Sequence, residues 1–116
     1  MTIRRHDSGP RMSKAVVHGD TVYLAGIVAD APKGKSMGEQ TKSILTQIDG
    51  FLAKADTDKS KLLSANIWIT DMARFNEMNA VWDAWVSPGN TPARATVEAG
   101  LASPDYLVEI MVVAAK

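Results

Sequence analysis

The run Leu107-Val108-Glu109-Ile110-Met111-Val112-Val113 constrains the fold more than any other stretch of this chain. It is apolar on both phases of a strand apart from Glu109, so a sheet built around it cannot be satisfied by water on either side. A second strand-like run precedes it, Thr91-Pro92-Ala93-Arg94-Ala95-Thr96-Val97-Glu98-Ala99, with one arginine set into it. Charges in such places persist only when paired, hydrogen-bonded or used. Arg94 and Glu109 are therefore the first candidates for function.

The remaining elements follow from spacing. Ala15-Val16-Val17-His18 and Thr21-Val22-Tyr23-Leu24-Ala25 flank Gly19-Asp20, as two strands joined by a tight turn do. Gly26 closes the second of them, and Ile27-Val28-Ala29 can continue it before Pro32, Gly34 and Gly38 mark a loop. From Glu39 to Lys54 the period changes, and Ile44, Leu45, Ile48, Phe51 and Leu52 form one stripe of an amphipathic helix. Leu63, Ala65, Ile67 and Ile69 then alternate with Ser64, Asn66, Trp68 and Thr70, the period of a strand. Asp71 is placed to cap a second helix with Phe75, Met78, Val81, Trp82 and Trp85 on its apolar side, stopped by Pro88-Gly89.

The expected order is strand-strand-helix-strand-helix-strand-strand. It describes an α+β fold in which one mixed or antiparallel sheet has two helices packed on one face. The other face would expose Leu107, Met111 and Val113 from one strand alone. An apolar face of that kind marks an interface, so a closed homo-oligomer that buries it is expected.

Composition narrows the chemistry. The chain has 116 residues, read as a single domain spanning 1–116, and no cysteine, which excludes a disulfide framework, a thiol nucleophile and thiolate metal sites. No apolar run follows Arg4-Arg5-His6 and no stretch reaches membrane-spanning length, so no signal peptide or membrane partner is expected and a cytoplasmic location is. Thirteen basic residues balance thirteen acidic ones, which leaves no electrostatic footprint for nucleic acid; Arg4, Arg5, His6 and Arg11 read as a solvated arm or edge. Gly34-Lys35-Ser36 resembles the end of a phosphate loop, but Ala29 stands where its first glycine is required, and a flexible connector is the better reading. His6 and His18 have no ligand partners at metal-binding spacing, and Ser13 lacks an activating base, so neither metal, cofactor nor acyl-enzyme is expected.

Two readings of Arg94 and Glu109 stand side by side. They can be an ion pair holding two neighbouring strands in register. Alternatively, the guanidinium grips a small carboxylate by two parallel charge-assisted hydrogen bonds. Trp82 fits the helix core, whereas Trp68 sits on the polar phase of its strand and points to an interface or pocket.

Pro92-Ala93-Arg94 with Val97, and Val108-Glu109-Ile110 with Ala114, resemble the signature of the RidA-like reactive intermediate deaminases. Val22-Tyr23-Leu24-Ala25-Gly26, Ile69-Thr70-Asp71-Met72, Phe75 and Met78-Asn79 match the same family in order and spacing, so the resemblance covers nearly the whole chain. It implies a chorismate-mutase-like fold, a homotrimer with inward-facing sheets, and clefts between adjacent subunits. It further implies hydrolysis of 2-imino acids to 2-keto acids and ammonia without a cofactor. Arg94 would bind the substrate carboxylate and Glu109 would direct the attacking water, with Asn79, Thr96, Ala25, Gly26 and Met12 lining the substrate site.

The match has departures. Ala25 stands where many deaminating members carry serine, Met12 near a cleft tyrosine, Thr96 at a common cysteine and Met111 at a frequent second glutamate. These changes raise an alternative, a small-carboxylate or keto acid binding module that regulates a metabolic enzyme without turnover. A nuclease or translation-inhibitor activity, ascribed to some members, fits least well with the balanced charge and the lack of a stacking platform interleaved with basic residues.

Overall fold

A two-residue turn with Gly19 at φ 61 joins strands β2 (Ala15–His18) and β3 (Thr21–Leu24) in the computed structural model, which describes residues 1–116. The left-handed conformation at Gly19 is the one a tight hairpin turn requires, and it pairs His18 with Thr21 and Val16 with Tyr23. The expected basic arm is partly strand: β1 (Ile3–His6) pairs antiparallel with β2 and forms one edge of the sheet.

Downstream, β4 (Ile27–Val28) continues β3 along the same neighbour, β7 (Val108–Ala115). Between the pairs Tyr23–Val113 and Ile27–Ile110, three residues (Leu24, Ala25, Gly26) oppose two (Met111, Val112). One residue is extra, so the strand bulges at Ala25-Gly26.

Helix α1 (Met37–Lys54) begins two residues before the stripe predicts, because Ser36 caps it. The Ser36 hydroxyl accepts from the Glu39 N–H at 3.1 Å and the Glu39 carboxylate accepts from the Ser36 N–H at 3.3 Å, a reciprocal capping box. Ile44, Leu45, Ile48 and Leu52 are fully buried and Phe51 packs beside them. The connector before α1 is held down rather than loose. Buried Gln40 donates to the carbonyls of Pro32, Lys35 and Asp105, and its own oxygen accepts from the Leu107 N–H.

Strand β5 (Leu62–Ile69) corrects the predicted phase at its start. A bulge between Leu62 and Ser64 places Leu62 in the core and leaves Leu63 exposed, whereas Ala65, Ile67 and Ile69 are buried as the alternation predicts. Asp71 caps a single 3-10 turn, Met72–Arg74, that leads into α2 (Phe75–Trp85). Met78 and Trp82 of α2 are buried, with Phe75, Val81 and Trp85 packed against the core. Two donors tie the helices together: the Gly38 N–H donates to Glu77 at 2.6 Å, and the Trp85 indole N–H is shared between both Asp49 oxygens.

β6 (Ala93–Glu98) returns parallel to β5 through the α2 crossover, giving the order β1-β2-β3-β7-β5-β6 with β4 also on β7. The sheet is mixed and mostly antiparallel, with β7 central. Val108, Ile110, Val112 and Ala114 of β7 are fully buried on the helix side, each large side chain contributing about 1.5–3 kcal/mol. Glu109, Met111, Val113 and Ala115 are half-exposed on the other side. Tyr23 and Val97 also stand on that face, each 48% exposed. Leu107 departs from expectation, because it precedes the strand and packs partly buried against the core.

Candidate functional site

The register decides where the two charges go. Arg94 pairs with Ala65 in the parallel β5–β6 ladder, and partners in a parallel ladder share a face. Ala65 is buried toward the helices, so Arg94 points to the helix side of an edge strand. Its guanidinium carbon lies 5.3 Å from the Trp82 ring centre and 5.9 Å from that of Phe75. Those aromatic faces attract the cation and hold its plane. Phe75 and Trp82 are expected from the sequence on the apolar stripe of α2, Phe75 also as a family match, but their place beside the Arg94 guanidinium is what sequence reasoning missed.

Thr96, two residues beyond Arg94, shares its face and pairs with Ile67. Asn79 lies between Phe75 and Trp82 on the same side of α2. The Thr96 hydroxyl and the Asn79 side-chain oxygen are both buried without a hydrogen-bond partner. Buried polar atoms in that state carry a cost unless something completes them. Two residues further along the strand, on the same phase, the Glu98 carboxylate accepts from the Met72 N–H at 2.8 Å and fastens β6 to the approach to α2. Arg94, Thr96 and Asn79 are thus brought together at the β6–α2 flank.

Glu109 is elsewhere. It pairs with Val28 of β4 and Trp68 of β5 and is half-exposed on the helix-free face, where Trp68 also stands. It makes no ion pair and no side-chain hydrogen bond, and neither does Arg94. Strand β5 separates their strands, which corrects the reading of a register-holding pair on neighbouring strands: β6 and β7 are not neighbours and the two charges face opposite ways.

With Glu109 go Gly26 and Ala25 at the β3–β4 bulge. A Cβ placed on Gly26 would overlap the Glu109 carboxylate oxygen Oε2 and lie 3.0 Å from its Cδ. Ala25 donates its N–H to the Lys14 carbonyl at 2.9 Å, linking the bulge to the loop that carries Met12, whose side chain is 55% exposed. The single chain has three surface cavities, of about 400, 470 and 230 Å³, and none is lined by any of the seven expected site residues. The expected site residues thus fall into two groups on this chain, Arg94 with Thr96 and Asn79 at the sheet edge, and Glu109 with Gly26 and Ala25 on the open face.

The comparisons with known proteins agree with this architecture. The family described as Endoribonuclease L-PSP matches residues 2–116. The RutC family protein YoaB of Escherichia coli is 44% identical over 115 residues, covering 99% of each chain. A RutC family protein of Haemophilus ducreyi is 42% identical over 113 residues, covering 97% of this chain and 96% of the relative. Among solved structures, a YjgF family member from Neisseria meningitidis superposes with a TM-score of 0.96 at 46% identity, covering 100% of this chain and 96% of the other. Yeast Mmf1, at 20% identity and a TM-score of 0.90, covers 99% of both chains and shares the fold. Two helices against a mixed, mostly antiparallel sheet are the chorismate-mutase-like fold of these neighbours. The chain belongs to the endoribonuclease L-PSP family, that of the YjgF, RidA and RutC proteins.

Proposed function

We propose that this chain hydrolyses small reactive 2-imino acids to 2-keto acids and ammonia, in a cleft built between two copies of itself. The observation that carries the reading is the placement of Arg94 and Glu109 on opposite faces of one sheet, each free of a partner. A site that uses both takes the arginine from one subunit and the glutamate from the next. Such a contact joins two different surfaces, an edge and a face, and a heterologous contact repeated through a closing rotation makes a ring. A trimer is the ring proposed, with the apolar faces bearing Tyr23, Met111 and Val113 turned inward.

The chemistry asks little of the protein. A protonated 2-imino carbon is already electrophilic, so orientation and one proton carrier suffice. Arg94 holds the carboxylate by its planar fork, with Phe75 and Trp82 fixing that fork. Glu109 takes a proton from water as the oxygen bonds to C2, giving a tetrahedral carbinolamine. It then returns that proton to the amine nitrogen. As the C–N bond breaks and ammonia leaves, Glu109 takes the proton of the C2 hydroxyl, which becomes the carbonyl of the 2-keto acid, and passes that proton to the departing ammonia or to solvent. Beside the carboxylate end the Thr96 hydroxyl can donate to the substrate carboxylate, whereas the Asn79 oxygen, an acceptor, is left for an N–H donor.

Coupled to an enzyme that releases iminopropanoate, the protein should accelerate pyruvate formation. Arg94→Lys should lose most of that gain, because an ammonium cannot reproduce the bidentate geometry. Full activity in that variant removes the clamp from the account. A second reading, binding of a keto acid without turnover, is favoured by Ala25 and Met12, which bring no hydroxyl to the glutamate half. Calorimetric binding of 2-ketobutyrate with no acceleration of imine hydrolysis would select it.

A further inference from the structure

We propose that Gly26 is a positioning residue for Glu109, the seat that fixes where its carboxylate stands on the open face. The proposal rests on the deaminase reading for its kinetic consequence and on geometry alone for its structural one.

Three observations meet at this position. The sheet bulges here, with Leu24, Ala25 and Gly26 opposing Met111 and Val112, and a bulge redirects the groups around it. Gly26 is not among the residues at positive φ, so its backbone tolerates any L residue; what it supplies is space. That space is filled by the Glu109 carboxylate, since a Cβ on Gly26 would overlap Oε2 and sit 3.0 Å from Cδ and 3.4 Å from Cγ. By contrast, Gly50 and Gly100 have nothing within 4 Å of an added Cβ.

The same carboxylate has no hydrogen bond or ion pair to hold it. Its direction is set by what surrounds it: Val28 and Trp68, its neighbours on the flanking strands, and the bare Cα of Gly26. A methyl group at residue 26 turns Glu109 away from the bulge. Arg94, on the other face and another strand, is untouched by the change.

The test is Gly26→Ala, read in three ways. A crystal structure of the variant should show the Glu109 carboxylate displaced by about 1 Å or more, with Val28 and Trp68 in place, and a displacement of that size costs about a hundredfold in rate. In imine hydrolysis kcat should fall by that order while KM changes little. The double variant Gly26→Ala/Glu109→Gln should be no slower than Glu109→Gln alone, because Gly26 acts only through Glu109. If Gly26→Ala folds poorly, Gly26→Ala/Glu109→Asp should recover the melting temperature, since the shorter side chain removes the overlap.

An unmoved carboxylate, multiplicative losses in the double variant, or a fold defect that Glu109→Asp leaves unrelieved would each overturn the proposal. Wild-type protein without imine hydrolysis would remove the deaminase reading only. The crystallographic and melting comparisons decide the role of Gly26 in that case as well.

Discussion

The Trp82 ring centre stands 5.3 Å from the guanidinium carbon of Arg94, with Phe75 at 5.9 Å. The arginine is thereby oriented by two aromatic faces and by no carboxylate, which leaves its donors free for a ligand. An acidic partner in the same place would have consumed them.

Phe75→Leu tests that arrangement while keeping most of the apolar volume. A cation–aromatic contact at a site of this exposure is worth about 0.5–1 kcal/mol. KM for an imino acid should rise about twofold to fivefold with kcat nearly unchanged, since the loss falls on the clamp and not on proton transfer. Initial-rate kinetics on the purified variant measure both constants.

Gln40 offers a prediction about stability. Its fully buried amide joins the connector at Pro32 and Lys35 to the loop at Asp105 and Leu107. Gln40→Leu leaves the Leu107 N–H and three carbonyls without their partner, and one buried group so stranded costs about 1–3 kcal/mol. The urea midpoint should fall accordingly at unchanged slope. A midpoint equal to wild type would show that water replaces the amide.

Much of this was legible in the sequence, and the reasons for the rest are local. The alternation in β5 and β7 and the stripes of α1 and α2 announce themselves because burial enforces one period per element. The bulges at Leu62–Ser64 and Leu24–Gly26 leave no periodic trace, so alternation alone puts Leu63 on the wrong side. Arg94 and Glu109 were identifiable as expensive charges. Their opposed directions were not, because sequence order makes β6 and β7 consecutive while β5 is inserted between them. Gln40 gave no signal at all, since a polar residue in the first turn of a helix ordinarily faces water.

The capping box predicts a pH dependence. The Ser36 backbone and side-chain hydrogen bonds hold the Glu39 carboxyl below its ordinary value of 4.5. A carboxyl depressed in the folded state contributes stability above its unfolded value and loses it as pH falls through the folded one. Ser36→Ala keeps the backbone N–H bond to Glu39 but removes the hydroxyl that caps the Glu39 N–H, and loss of such an N-cap costs about 1 kcal/mol. The gap between variant and wild type should narrow as pH falls below the ordinary carboxylate value. Thermal melts across that range measure the two curves.

Subunit mixing tests the division of the site most directly. Arg94→Ala and Glu109→Gln should each keep only a small residual rate, the first without its clamp and the second without its proton carrier. Unfolded together in equal amounts and reassembled, they form rings in which each interface draws its arginine from one subunit and its glutamate from the next. Half the arginine halves and half the glutamate halves are then intact, so about a quarter of the interfaces hold both and about a quarter of wild-type activity should return. If Arg94 and Glu109 instead served one site within a single chain, no mixture of the two could restore it. Activity recovered after mixing the folded proteins without unfolding would report subunit exchange, and its rate would measure how fast the ring opens.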